Sequence, residues 1–180
     1  MSTRGCRSAL SSSRGMVLVE VLVTATVVAV GVLGLAQIQG RTAVAAVEAQ
    51  QRTQALLLAY DMADRMLANR SRAAEYVGSD YGLAIEACDT SSAVARDRCA
   101  WSAAIAGASE RIGTTLTGGL LNGRGCVLQT GARRYRVVIA WQGMTPTVVP
   151  SSDCARGAYG AETRRRALVV PVELPDLSAT

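Results

Sequence analysis

Apolar and polar positions divide the chain into stretches of different period. From Met16 to Ala36 nearly every residue is apolar, and from Val21 to Gly40 no residue carries a charge. At about 1.5 Å of rise per residue such a run is long enough to cross the hydrocarbon core of a bilayer as a helix. Farther along, Ala55, Leu58, Ala59, Met62 and Met66 recur at the i, i+3, i+4, i+7, i+11 spacing of one helix face. Glu48, Gln51, Arg52, Asp61, Asp64 and Arg65 fall mostly on the other faces. No proline precedes Pro146, so the pattern predicts one helix from Val17 to about Arg72, apolar all round at first and amphipathic later. The later stripe is expected to lie against a globular part, because its heptads are too few for a free coiled coil.

After Arg72 the pattern shortens. Gly78-Ser79-Asp80-Tyr81-Gly82 reads as a loop, and Val94 to Ala106 reads as a short helix held down by Trp101 as a core residue. Gly125 to Thr130 and Tyr135 to Trp141, joined through Gly131-Ala132-Arg133, predict a hairpin in which Tyr135, Val137, Ile139 and Trp141 alternate with Arg136, Val138 and Ala140. Leu168, Val170, Val172 and Leu174 form a third alternating set, and Pro171 within it predicts an edge strand. The expected fold is α+β: a long N-terminal helix packed on a small antiparallel β-sheet. The connection from Gly143 to Arg166 contains Pro146 and Pro150, and connections of that length are usually functional or disordered. It ends in Arg164-Arg165-Arg166, read as a solvated surface cluster in preference to a nucleic-acid site.

Composition narrows the chemistry. The 180 residues include no Lys, no His and no Phe. There is thus no imidazole base, no Ser-His or Cys-His couple, no Schiff-base lysine and no P-loop lysine. Neither an enzyme nor a cofactor is expected. The net charge is +5, but Arg4, Arg7 and Arg14 supply three of those charges before Gly15. Downstream the chain is nearly neutral, which makes nucleic acid an unlikely partner. Of the five cysteines, Cys6 precedes the apolar run, leaving Cys88, Cys99, Cys126 and Cys154 beyond it. In an exported domain an even number implies two disulfides. Three connectivities are possible; the local pairs Cys88 with Cys99 and Cys126 with Cys154 are favoured because short closures cost less entropy. No pair has the spacing of a zinc site, and no metal is expected.

Arginines on the N-terminal flank, without acids, place that flank in the cytoplasm and send the rest outward. Glu20 is the exception in the apolar block, where a carboxylate costs about 2.5 to 3.5 kcal/mol at a helix centre, and by default it implies a functional partner. The stretch Arg14-Gly15-Met16-Val17-Leu18-Val19-Glu20 resembles the signal of type IV pilins and pseudopilins. The resemblance implies cleavage between Gly15 and Met16 by a prepilin peptidase, N-methylation of Met16, and pairing of Glu20 with an N-terminal amine that sets subunit register. Met16 stands where the family most often has Phe, and the kinking proline of many major pilins is absent. The implied organisation is a leader (1–15), a membrane-spanning, filament-core helix (16–40), its amphipathic continuation (41–72) and an exported globular domain (73–180).

A longer string, Asp61-Met62-Ala63-Asp64-Arg65-Met66-Leu67-Ala68-Asn69-Arg70, resembles the PilV family of minor pilins, type IV pilus modification proteins, as does the spacing of Asp97 and Trp101. That resemblance implies a minor pilin that helps prime assembly of the type IV pilus at or near its tip. Its partners would be other minor pilins, the major pilin, the prepilin peptidase and the inner-membrane assembly platform. It would reside first in the inner membrane with its C-terminal domain periplasmic, then in the fibre. Asp61, Asp64, Arg65 and Arg70 are the expected contacts with a neighbouring minor pilin. A minor pseudopilin of a type II secretion system, a tip adhesin and a DNA-uptake pilin are the alternatives.

Overall fold

The computed structural model describes residues 13–83, 88–108, 111–113, 115–116 and 118–176. Residues 1–12, which hold Cys6 and most of the expected leader (1–15), lie outside the described residues. The chain forms two compact units, one ending at Ala45 and the other beginning at Ala46.

The first element, α1, runs from Ser13 to Ala68 without a break. In its first part the side chains from Met16 to Gly40 are all exposed, and the helix is long and apolar enough to cross a membrane. The two hydroxyl side chains of that part are satisfied by the helix itself. Thr24 Oγ1 donates to the carbonyls of Glu20 and Val21, and Thr26 Oγ1 to those of Leu22 and Val23, at 2.8–3.0 Å. Bonding back to the preceding turn lets a hydroxyl sit in an apolar helix without an orphaned polar group.

The second unit has an α+β layout. α1 ends at Ala68, and a 3-10 segment, Arg70–Tyr76, leads into strand β1 (Gly78–Tyr81). Helix α2 spans Ala93–Ala106; β2 (Arg111–Ile112) and β3 (Thr115–Leu116) form a small separate ribbon. β4 (Arg124–Gly131), β5 (Arg134–Gln142) and β6 (Arg165–Glu173) complete an antiparallel sheet in the order β1-β4-β5-β6. The hairpin β4–β5 is in register from Arg124↔Ala140 to Gln129↔Tyr135, and β6 lies at the edge, with Pro171 opposite Arg136.

One face of the sheet carries the main core. Ala55, Ala59, Met62 and Met66 of α1 pack with Trp101 and Ile105 of α2 against Val127, Val137, Ile139, Val170 and Val172. The helical stripe therefore meets the sheet, with Leu58 half-buried at its margin. Small alanines alternating with methionines let the helix approach closely, and the unbranched methionines fill the gaps. Trp101 also donates its indole N–H to the carbonyl of Leu58 at 2.8 Å, tying α2 to α1. Gly125 is the counterpart in the sheet: a methyl group there would lie 2.6 Å from Trp101 Cη2. α2 is capped by the Ser92 hydroxyl, which accepts from the Ala95 N–H, and closed by Gly107 at φ 72°.

The opposite face is covered as well. Val138, Ala140, Cys126, Cys154 and Tyr159 form a second buried cluster. The simple alternation expected along β5 thus gives way to burial on both faces near its centre.

One further expectation is corrected. Gly78–Tyr81 is a strand, paired with β4 through Gly78↔Val127 and Tyr81↔Gly125. Its glycine and polar residues concealed that, whereas the Tyr81 ring packs edge-on against Trp101 with centroids 4.8 Å apart. The connection from Gly143 to Arg166 is exposed over 144–149 and is held to the sheet through Cys154 and Tyr159, which are buried in the second cluster, and through the bond from the Thr147 N–H to the Thr163 carbonyl.

Candidate functional site

Three groups of polar side chains are placed by this architecture, together with the acid of the apolar helix. Glu20 is exposed on α1, and its carboxylate makes no hydrogen bond or ion pair among the described residues. Gly15 and Met16 lie in the first turns of the same helix.

The first group sits where α1 ends. Arg65 Nε bonds both carboxylate oxygens of Asp61, at 3.1 and 3.0 Å, and its Nη1 donates to Asp97 Oδ1 on α2 at 3.0 Å. Asp97 Oδ2 accepts from Tyr76 Oη at 2.6 Å and from Asn69 Nδ2 at 3.2 Å. One carboxylate on α2 therefore collects donors from α1, from Asn69 just beyond its end and from the 3-10 segment. Burial, reinforced by the bond to Asp97, pushes the Tyr76 hydroxyl well above its usual range. For Arg65, burial would lower the pKa, but the two carboxylates outweigh it and hold the guanidinium charged.

Of the residues expected to meet a neighbouring subunit, Asp61 and Arg65 are brought together and engaged inside the chain. Asp64 and Arg70 are exposed and stand outside the cluster. The helical string thus has an internal reason for much of its composition: Met62, Ala63 and Met66 are core, while Asp61, Arg65 and Asn69 form the polar seam to α2.

The second group joins residues 118 positions apart. Arg166 donates to both oxygens of Glu48, its Nη2 lying 3.1 Å from Oε1 and 3.2 Å from Oε2. Glu48 Oε1 also accepts from the backbone N–H groups of Met144 and Thr145 and from the Thr145 hydroxyl. Burial would raise the Glu48 pKa, but the Thr145 bonds and the Arg166 charge overcome it and leave it lowered.

In the third group Arg165 is fully buried. Its Nε donates to Glu162 Oε2 at 2.7 Å, its Nη1 to the carbonyls of Ser152 and Cys154, and its Nη2 to that of Pro150. The bond from the Gly157 N–H and the pairing with Arg165 hold the Glu162 carboxyl below its ordinary value. The reading of Arg164-Arg165-Arg166 as a solvated cluster is therefore corrected. Only Arg164 is exposed; alternation along the strand sends Arg165 to the face under the long connection and Arg166 to the face under α1.

Cys88 is bonded to Cys99 and Cys126 to Cys154, with Cα separations of 5.6 and 5.9 Å. The first pair tethers the segment before α2 to the helix, and the second ties the long connection to β4. No group of three or more Cys, Asp or Glu side chains that could hold a metal occurs among the described residues.

Sequence reasoning missed the pairing of Glu48 with Arg166 and the burial of Arg165. Their only signal is a charge at the inner margin of an amphipathic helix and a run of arginines entering a strand, and neither names its partner. Comparison of the chain with protein-family models, with curated proteins and with solved structures gives no match.

Proposed function

We propose that this chain is a minor type IV pilin of the PilV kind, a membrane-anchored subunit without catalytic activity. A prepilin peptidase cuts it after Gly15 and methylates the new amine of Met16. It then joins other minor pilins and the major pilin at the inner-membrane assembly platform, primes the fibre and ends at or near its tip.

The observation that supports this reading is α1 itself: one uninterrupted helix with a fully exposed apolar first part and a single acid at Glu20, continuing into a half packed on a four-stranded antiparallel sheet. An apolar helix of this kind has two stable surroundings, lipid and other apolar helices. Moving from one to the other requires no new chemistry, only packing. Glu20 adds direction to it. A carboxylate in such surroundings is stable when paired, and the ammonium that cleavage creates on Met16, four residues upstream, on this subunit or on a neighbour, supplies the opposite charge. Head-to-tail contacts that do not close then extend into a filament.

The exposed Asp64 and Arg70 are the polar residues of the helical string left for a neighbour, while Asp61 and Arg65 act indirectly by holding α2 in place. Intact mass and N-terminal sequencing of the membrane-extracted protein, from cells with and without the prepilin peptidase, test the reading. A methylated start at Met16 that depends on the peptidase is expected. A start at Met1, or a cut after the apolar run, would sink it. Loss of surface pili on deletion, with secretion intact, separates the pilus from a secretion machine.

A further inference from the structure

β6 is an edge strand, and its free edge faces a groove. Gly143 N–H donates to the carbonyl of Arg164, and Leu174 N–H to that of Arg133, at 2.7 and 2.9 Å. In an antiparallel pair without register shifts, as β5–β6 is, even positions of β6 therefore turn their backbone toward β5 and odd positions turn it away. Ala167 and Val169 present both N–H and C=O outward, and Pro171 presents C=O alone.

Alongside this edge runs a groove of about 740 Å³ between α1 and β6. One wall is made by Arg52, Leu56 and Tyr60, successive turns of α1, and the other by the stretch Arg166–Pro171, about 20 Å of strand. The groove is open: Leu56, Tyr60 and Val169 are 38%, 52% and 41% exposed. Its charge is unbalanced, since Glu48 at one end is taken by Arg166, while Arg52 is exposed and makes no ion pair among the described residues.

We propose that this groove receives an extended, acid-bearing segment of a partner polypeptide, which adds to β6 as a fifth strand. The outward amides of Ala167 and Val169 would supply the backbone ladder, Leu56, Tyr60 and Leu168 the apolar contacts, and Arg52 the selection for a carboxylate. Pro171 limits how far pairing can run, which suits one short strand and opposes open-ended edge-to-edge association. The proposal stands on α1 and β6 alone and holds whichever machine the apolar helix serves.

The test uses the full chain in detergent micelles and three blocked seven-residue peptides, alternating valine with polar residues and carrying one central aspartate, serine or arginine. Amide hydrogen exchange is read by NMR. The aspartate peptide is expected to slow exchange at Ala167 and Val169 at least tenfold and to bind more tightly than the other two. Arg52→Glu, on an exposed helix face, should reverse the preference towards the arginine peptide; Val169→Pro should abolish protection at Ala167 without loss of the β5–β6 ladder. Unchanged exchange with all three peptides would overturn the proposal, as would an unaltered preference in R52E. Protection that rises with protein concentration alone would also overturn it, by showing a second copy of the chain on the edge.

Discussion

Asp97→Asn probes the seam between α1 and α2 with almost no change of shape. In the native protein both carboxylate oxygens accept, Oδ1 from Arg65 and Oδ2 from Tyr76 and Asn69, and every partner is a donor. An amide in the same place must turn its NH₂ towards either the Arg65 guanidinium or the Asn69 amide NH₂ beside the Tyr76 hydroxyl, so on one side of the seam a donor faces a donor. Hydrogen bonds to charged groups contribute about 1.5 to 3 kcal/mol each; the ion pair with Arg65 is lost whichever way the amide turns, and at least one hydrogen bond goes with it. The side chains of Asp97 and Arg65 are 22% and 29% exposed, so water recovers part of the loss, and the expected cost is about 2 kcal/mol. Asp61→Asn is the internal control. It removes the i, i+4 partner of the same arginine at a more exposed position, 42%, and should cost only about 0.3 to 0.5 kcal/mol. Denaturant unfolding of the full chain in detergent, followed by tryptophan fluorescence, reports the difference because Trp101 lies on α2 and bonds to α1. If D97N proves no more costly than D61N, the convergence of three donors on Asp97 is not what holds α2 to α1, and the reasoning fails.

Glu48→Gln should remove an acid-sensitive part of the stability. The folded pKa of Glu48 lies below that of an ordinary glutamate, so the carboxylate contribution is full above the ordinary value and is lost as pH falls through the folded pKa. Wild type should therefore exceed E48Q in melting temperature near neutral pH, and the gap should close as pH falls through the lowered folded pKa; a gap constant with pH refutes the clamp. Arg165→Met leaves three carbonyls and the Glu162 carboxylate without their donor and should cost about 3 to 5 kcal/mol, opening residues 143–164 to limited proteolysis; an unchanged digestion pattern counts against it. Gly125→Ala places a methyl against Trp101 and should cost about 1 to 3 kcal/mol, with a shift in tryptophan fluorescence; a neutral effect would mean that the ring has room to move.

Much of the architecture is legible because local chemistry and global fold agree. A proline-free chain, apolar all round and then striped at helical spacing, can only become one helix with one face against a core. Alternating β-branched residues around Gly131-Ala132-Arg133 form the hairpin, and Pro171 marks the edge that β6 occupies. β1 escaped notice because a four-residue strand of Gly, Ser, Asp and Tyr has little propensity of its own and owes its form to β4. The apolar helix with its lone Glu20 was equally visible, because hydropathy acts locally.

What the tertiary structure alone decided is the partnership of charges. Arg164, Arg165 and Arg166 are identical residues in one run, yet one is exposed, one is buried beneath the long connection and one grips Glu48 on α1. Asp61 and Arg65 look like a surface pair until Asp97, brought in by a helix that Trp101 holds down, completes the seam. Helix and strand periods are set by bonds a few residues long, so sequence states them. Which charge meets which depends on how those elements stack, and that is settled only when the core closes.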